Sequence, residues 1–271
     1  MPSAHIAQLL QNIRNASSTN ADRGKLFELI CKEWLCNTRQ YREIDEVYLW
    51  NEWPNRDGAD RGIDLVAHTV DDQYYAIQCK DYQEGSSVSK GDIDSFLSAS
   101  GKSYAGVQFS QLFVITTVEL GSNAAKTVKD YNIPVTVIRF DQLEDDEYDW
   151  EAVNSNLLAG RAELLAGAAR ARKVARPHQV AAINDVLKGL QEHDRGKLIM
   201  ACGTGKTFTA LKIAEKIAPN GTVLYLVPSL MLLAQSLREW TTQSEVRLAP
   251  IVICSDTQAH EQDDRRADVL T

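Results

Sequence analysis

From Arg23 to Leu35, apolar side chains recur at Leu26, Phe27, Leu29, Ile30, Trp34 and Leu35, the spacing of a helix with one face turned to a core. The period then shortens. Glu46–Trp50, Ile63–Ala67 and Tyr74–Lys80 are short runs rich in β-branched, aromatic and aliphatic residues, and Asp71-Asp72 sits where a hairpin turn would join the last two. Lys90–Ala99 returns to a helical pattern, and Gln111–Thr117 reads as a buried strand. Asn123–Tyr131 follows as a helix and Val135–Phe140 as a further strand. Helices alternating with such strands predict an α/β layer structure.

The acidic run Asp141–Asp149 interrupts this pattern and reads as a solvated loop closing a first domain, residues 1–150. Ala159–Ala175 is rich in alanine and, with Arg176, carries Arg161, Arg170, Arg172 and Lys173. It is expected to be part of a helical linker, residues 151–175, with the charges on a solvated face. A second domain, residues 176–271, opens at Arg176-Pro-His-Gln179 with a helix through Leu190. Apolar runs at Lys197–Met200, Thr222–Val227 and Ile251–Cys254 predict buried strands, and between them lie two helical patterns. One is Phe208–Ile217; the other follows Pro228-Ser229 and sets Leu230, Leu233, Leu237 and Trp240 on one side.

With 271 residues, each half can bury a core of its own. No apolar run approaches the roughly 20 residues that span a bilayer, so no membrane partner is expected. Met1–Leu10 has neither a basic start nor a long apolar stretch. The five cysteines are scattered without a C-x-x-C pair, which argues against zinc or a disulfide framework and fits the cytoplasm. His5, His68, His178, His193 and His260 show no metal spacing. A net charge of −8 does not point to nucleic acid, but phosphate contacts need only a local basic face. Trp50 and Trp53 beside Asn55-Arg56-Asp57-Gly58 could stack on bases, although core packing is the plainer reading.

Two groups of residues carry chemistry. The first is Met200-Ala-Cys-Gly-Thr-Gly-Lys-Thr207, set between a strand pattern and a helix pattern. Gly203 and Gly205 let successive N–H groups turn inward around Thr204 at a helix N-terminus. Lys206 offers a point charge to the β and γ phosphates of a nucleotide, and Thr207 a hydroxyl to Mg²⁺. Met200 stands where the strict phosphate-loop pattern has glycine. The second group lies on the strand patterns. Asp64 would be costly to bury unpaired. Gln78 and Lys80, two residues apart, share one face of their strand. If Asp71-Asp72 turns the chain, Asp64 can join them at a sheet edge. Carboxylate and amide oxygens at Asp64 and Gln78 would hold Mg²⁺, with the Lys80 ammonium stabilising the charge of phosphodiester hydrolysis. Glu28, on the first helix, could add a carboxylate from across the layer; Asp60 is the other acidic candidate.

Gly62-Ile-Asp-Leu-Val-Ala67 with Tyr75-Ala-Ile-Gln-Cys-Lys80 resembles the Mrr-like branch of the PD-(D/E)xK nucleases, in which glutamine commonly replaces the second acid. The resemblance implies the restriction-endonuclease fold, a central mixed sheet flanked by helices. It places Asp64, Gln78 and Lys80 at catalytic positions and Glu28 at the acidic position on the helix. The second half resembles the first RecA-like domain, a parallel α/β layer, of superfamily two helicases and translocases. Arg176-Pro-His-Gln179 is similar to their Q-motif, which implies that Arg176 and Gln179 meet the adenine of ATP. Ala201–Thr207 is similar to motif I, and Leu226-Val-Pro-Ser229 with Leu232 and Gln235 to motif Ia. No D-E-x-H box and no second RecA-like domain are found, so this domain is expected to be partial and to turn ATP over negligibly by itself. A nuclease ahead of such a motor resembles the N-terminal portion of single-polypeptide Type I restriction–modification enzymes. That family implies double-stranded DNA as partner, and a second copy of the enzyme on DNA at cleavage. The competing expectation is a non-catalytic, nuclease-like module that grips DNA for the motor.

Overall fold

The computed structural model of the chain describes residues 4–58, 62–143, 148–161, 163–201, 203–254 and 268–270. It divides into two compact units, Met1–Arg170 and Ala171–Thr271.

In the first unit the elements run α1 (Ala4–Ala16), α2 (Asn20–Asn37), β1 (Ile44–Leu49), β2 (Leu65–Thr69), β3 (Tyr74–Lys80) and α3 (Lys90–Ser100). They continue through β4 (Phe109–Thr116), α4 (Ser122–Lys129), β5 (Val135–Arg139) and α5 (Trp150–Leu158). The strands form one sheet in the order β1-β2-β3-β4-β5. β1, β2 and β3 pair antiparallel, while β3, β4 and β5 pair parallel through the crossovers that contain α3 and α4. The sheet is therefore mixed and covered by helices, as expected. The turn between β2 and β3 falls at Asp71 and Asp72, with Asp72 at φ 58° and its N–H bonded to Thr69 O at 2.9 Å.

Alternation along the strands splits the core into two layers. Leu65, Ala67, Ile77, Phe113 and Ile115 face α1, α2 and α5, where Leu9, Phe27, Ile30, Trp34 and Trp150 are buried. Val66, Ala76, Leu112 and Val114 face α3 and α4 over Ile93, Phe96 and Ala124. β4, between two strands and under helices on both faces, is apolar on both faces for that reason. Each buried Leu, Ile or Phe contributes about 1.5–3 kcal/mol relative to exposure. α2 is capped by Thr19, whose side chain accepts from Asp22 N, and Leu29, counted on its apolar face, is in fact exposed. Trp50 and Trp53 are core residues, 2% and 1% exposed, packed with Tyr104 and Phe109.

The stretch read as a helical linker belongs largely to this unit. α5 ends at Leu158, Gly160 and Gly167 take positive φ, and Leu164, Leu165 and Ala168 are buried in the α2 layer. Glu33 accepts from Leu164 N and Leu165 N at 2.9 and 2.7 Å, and Asn156 Nδ2 donates to Leu164 O and Ala166 O at 2.9 and 3.0 Å. Two leucines that can be buried override the helical preference of the alanines around them. Arg161, Arg170, Arg172, Lys173 and Arg176 are exposed, and part of the acidic run lies outside the described residues.

The second unit contains α6 (Pro177–Glu192), α7 (Lys206–Ile217), α8 (Leu230–Gln243) and a parallel pair, β6 (Ile251–Ile253) with β7 (Asp268–Leu270). Lys197–Met200 and Thr222–Val227, expected as buried strands of a parallel sheet, are not strands here. Ile199, Leu224 and Leu226 are 91%, 81% and 79% exposed. A parallel strand is held by ladders on its edges and helices on its faces. Among the described residues neither segment has a strand paired to it, so much of each apolar run is left in solvent, although Tyr225 packs on Trp240.

Candidate functional site

Asp64 directly precedes β2 and extends its ladder: Trp50 N donates to Asp64 O and Asp64 N to Ile77 O, both at 2.9 Å. Continuing the register from Leu65↔Ile77 sets Asp64 opposite Gln78. The Asp64 carboxylate accepts from Cys79 N at 2.6 Å. Gln78 is 1% exposed, on the strand face shared with Ala76 and Lys80. Its Nε2 donates to Gly62 O at 3.0 Å. That bond fixes the amide, since only the NH₂ end can face a carbonyl. The other end is left over: Gln78 Oε1 is buried and accepts from nothing. Such a group costs about 1–3 kcal/mol unless something answers it. Gly62, at φ 102°, lies against Phe96 N and Ser95 Oγ of α3, where a Cβ would come within 3.2 Å, so the turn before Asp64 requires glycine.

A buried, orphaned carbonyl oxygen beside a carboxylate is what a hard cation would use, and the donor set of Asp64 and Gln78 suits Mg²⁺. Glu28 is on α2, on the opposite face of the sheet from Ala76. It and Asp64 act together on the Cys31 and Cys79 thiols, which share a hydrogen bond. Burial first, then the hydrogen bond and charge of Cys31, and last these carboxylates push Cys79 well above the ordinary thiol range. Neither thiol is set to be a nucleophile. Among the described residues no three His, Cys, Asp or Glu side chains form a cage for a metal; Asp60 lies outside them.

Just past Lys80 are residues the sequence reading passed over. Thr117 N donates to Lys80 O at 3.1 Å. The Asp81 side chain, 1% exposed, meets Arg14 of α1 at 2.7 Å and Arg23 of α2 at 3.4 Å. Tyr82 donates its hydroxyl to Asp92 at 2.8 Å, and Asp92 also accepts from Ser89 N and Ser89 Oγ at the start of α3. Burial opposes ionisation of Asp92, but these bonds and the nearby Lys80 charge hold its carboxyl below the ordinary range. Burial and the same bond push the Tyr82 hydroxyl to about 12. The Ser89-x-x-Asp92 spacing is a readable capping signal. The Arg14–Asp81 contact, across 67 residues of sequence, leaves none.

In the second unit Gly203 and Gly205 adopt left-handed φ of 75° and 80°, and Gly205 caps α7. Gln179 is 5% exposed and spans two segments. Its Oε1 accepts from Arg176 N at 2.9 Å, and its Nε2 donates to Thr204 O at 2.9 Å. Lys206 Nζ and Thr204 Oγ1 both donate to Ala201 O, at 3.1 and 2.7 Å. Thr207 O accepts from Trp240 Nε1 at 3.1 Å. The glycines, Lys206 and Thr207 thus stand at one helix N-terminus, with Gln179 joined to Thr204.

Comparison with known proteins follows this division. Residues 37–157 match the restriction endonuclease family and residues 172–271 the family of the Type III restriction enzyme, res subunit. The first match includes Asp64, Gln78 and Lys80 but not Glu28. No curated protein matches. Among solved structures, the ATP-dependent Type ISP restriction–modification enzyme LlaBIII bound to DNA is 28% identical over 96% of this chain, with a TM-score of 0.70. The chain spans 18% of that enzyme's length. A nuclease-deletion mutant of the Type ISP enzyme LlaGI in complex with a DNA substrate mimic is 43% identical over 36% of this chain and 10% of that one, with a TM-score of 0.33.

Proposed function

We propose, for a chain that joins a restriction-endonuclease domain to a helicase-like res-subunit segment, that the first unit is a Mg²⁺-dependent endodeoxyribonuclease serving an ATP-driven translocase in the restriction of foreign DNA. The observation that carries this reading is the buried, unanswered Gln78 Oε1 opposite Asp64, with Lys80 two residues along the same strand. Asp64 and Gln78 would hold Mg²⁺, with Glu28 as a further carboxylate. Bound Mg²⁺ supplies Lewis-acid stabilisation of the charge that develops on the phosphoryl oxygens. Lys80 sets an ammonium beside the phosphodiester and stabilises the attacking hydroxide and the pentacoordinate charge. Cys79 N–H holds the Asp64 carboxylate in place. The Gly62 carbonyl keeps the Gln78 amide from turning over.

In the second unit Gly203, Thr204, Gly205, Lys206 and Thr207 would cradle the phosphates of ATP with its Mg²⁺. Arg176 and Gln179 would meet the adenine, which requires Gln179 to release its present partners. LlaBIII is described bound to DNA, and double-stranded DNA is the partner proposed here, with a second copy of the enzyme at cleavage. No helix of the described residues is long and apolar enough to cross a membrane; a cytoplasmic setting follows from the proposed role.

The test is Lys80→Ala in the full-length protein, assayed by plasmid nicking across a Mg²⁺ titration with ATP present. Nicking is expected to vanish while thermal unfolding stays where it was. Unchanged nicking by the variant removes the site. A wild-type protein that shifts DNA in a gel and never nicks it, at any Mg²⁺ concentration, would make the unit a DNA-gripping module instead.

A further inference from the structure

Asp81 is the first residue beyond β3, and its side chain is 1% exposed. A carboxylate taken out of water needs its charge answered. Here two helices answer it. Arg14 Nη2 lies 2.7 Å from Asp81 Oδ1, and Arg23 Nε 3.4 Å from Asp81 Oδ2. The same guanidinium groups hold the backbone just past Lys80, Arg14 Nη2 donating to Tyr82 O at 2.8 Å and Arg23 Nη2 to Asp81 O at 3.3 Å. Thr117 Oγ1 adds a contact to Asp81 Oδ1 at 3.2 Å.

This knot is not closed. One carboxylate faces two guanidinium groups, each with five N–H donors. Among the described residues Nη1 of Arg14 and Nη1 of Arg23 donate to no protein group, and the side chains are 22% and 20% exposed. Asp64 and Glu28, which act with Asp81 on the Cys31 thiol, are the groups assigned above to the divalent cation. Two guanidinium groups thus meet one buried carboxylate. A fastener for the end of β3 would need one arginine; two, fixed by a buried acid with outer edges left open, match the fork that binds a phosphate.

The position selects the ligand. Asp81 follows Lys80 in the chain but turns to the α1 and α2 side of the sheet, so that Arg14 and Arg23 stand across the end of β3 from Lys80. Duplex DNA carries a phosphate about every 3.4 Å of axial rise on each strand. A backbone that presents one phosphate to Lys80 must place its neighbours close by. We propose that Arg14 and Arg23, held by Asp81, form a subsite for a DNA backbone phosphate flanking the one that is cut. The subsite rests on the reading of Asp64, Gln78 and Lys80 as the nuclease site.

The experiment is the salt dependence of duplex DNA binding by the full-length protein, with Ca²⁺ replacing Mg²⁺ to hold cleavage off. Each phosphate contact contributes about 0.9 to the slope of log affinity against log salt. Arg23→Gln is expected to lower the slope by about 0.9, so that raising salt fourfold costs it about 3.5-fold less affinity than it costs the wild type. Arg23→Lys, which keeps the charge, should restore most of the slope, and a fastener would not behave so. If Arg23→Gln fails to fold, Arg23→Gln with Asp81→Asn removes both ends of the contact and carries the same readout. A wild-type slope in the folded Arg23→Gln protein, or in that double variant, overturns the subsite. Lys80→Ala separates the two readings: nicking that survives Lys80→Ala removes the nuclease site, whereas a lost slope with nicking abolished by Lys80→Ala sustains both.

Discussion

Gln78→Met replaces the amide with an unbranched side chain of similar volume and severs its two stability effects from its chemistry. The variant loses the Nε2 bond to Gly62 O at 3.0 Å, one donor fewer for a carbonyl at the edge of the core, which costs about 1–1.5 kcal/mol. It also removes the buried Oε1 that accepts from nothing, which returns about 1–3 kcal/mol of desolvation cost. The position is 1% exposed, and methionine fills irregular space at little packing cost. The sum is near zero, so the midpoint of thermal unfolding in metal-free buffer should stay within about 4 °C of wild type or rise. Cleavage should fall about 100-fold, the equivalent of roughly 2.7 kcal/mol of lost transition-state stabilisation. Paired measurements check this: scanning calorimetry in chelator, and nicking rates at saturating Mg²⁺ and ATP. A variant that cleaves like wild type would show that Oε1 is merely a tolerated defect. A variant destabilised by several kcal/mol would show that the amide is held for the fold and not for a cation.

Two further outcomes follow from the geometry. His68 bridges Asp45 at 2.8 Å and Asp72 at 3.0 Å, and the bond to Asp72, opposed by burial and helped by Asp45, raises its pKa above the ordinary value. A raised folded pKa means stabilisation that is complete below about pH 6.5 and lost as pH rises through the folded value; His68→Gln should lower the melting temperature at pH 5.5 and leave it unchanged at pH 9, and equal losses at both would refute the ion-pair account. Gly205→Ala puts a Cβ at φ 80°, at a cost of about 1–2 kcal/mol, and drives it into the Gln179 amide; ATP affinity by equilibrium titration should drop at least tenfold, and wild-type affinity would mean that this loop does not hold the nucleotide.

The first unit was legible in the sequence wherever a period was sustained. The strands at 65–69, 74–80 and 135–139 and the turn at Asp71-Asp72 all fall where alternation and turn chemistry put them. The α1 helix did not register, although Ile6, Leu9, Leu10 and Ile13 make a regular stripe that owes its stability to packing, whereas α5 lies at the start of the stretch expected to be helical, residues 151–175. Residues 159–170 misled for a related reason: alanine content spoke for helix, while the deciding contacts were Glu33 and Asn156, distant in the chain. The same limit holds at the site. Gln78 and Lys80 share a face by spacing alone, and the turn at Asp71-Asp72 fixes a register that sets Asp64 opposite Gln78, so local rules reach that much of the placement. The Gly62 carbonyl that orients Gln78, and the arginines that meet Asp81, come from segments whose proximity exists only after the sheet and α1 have packed. In the second unit the phosphate loop formed its left-handed turns from its own sequence, yet the flanking apolar runs did not become strands. A glycine turn answers to its own φ and ψ, whereas a parallel strand exists only through the neighbours that complete its ladders.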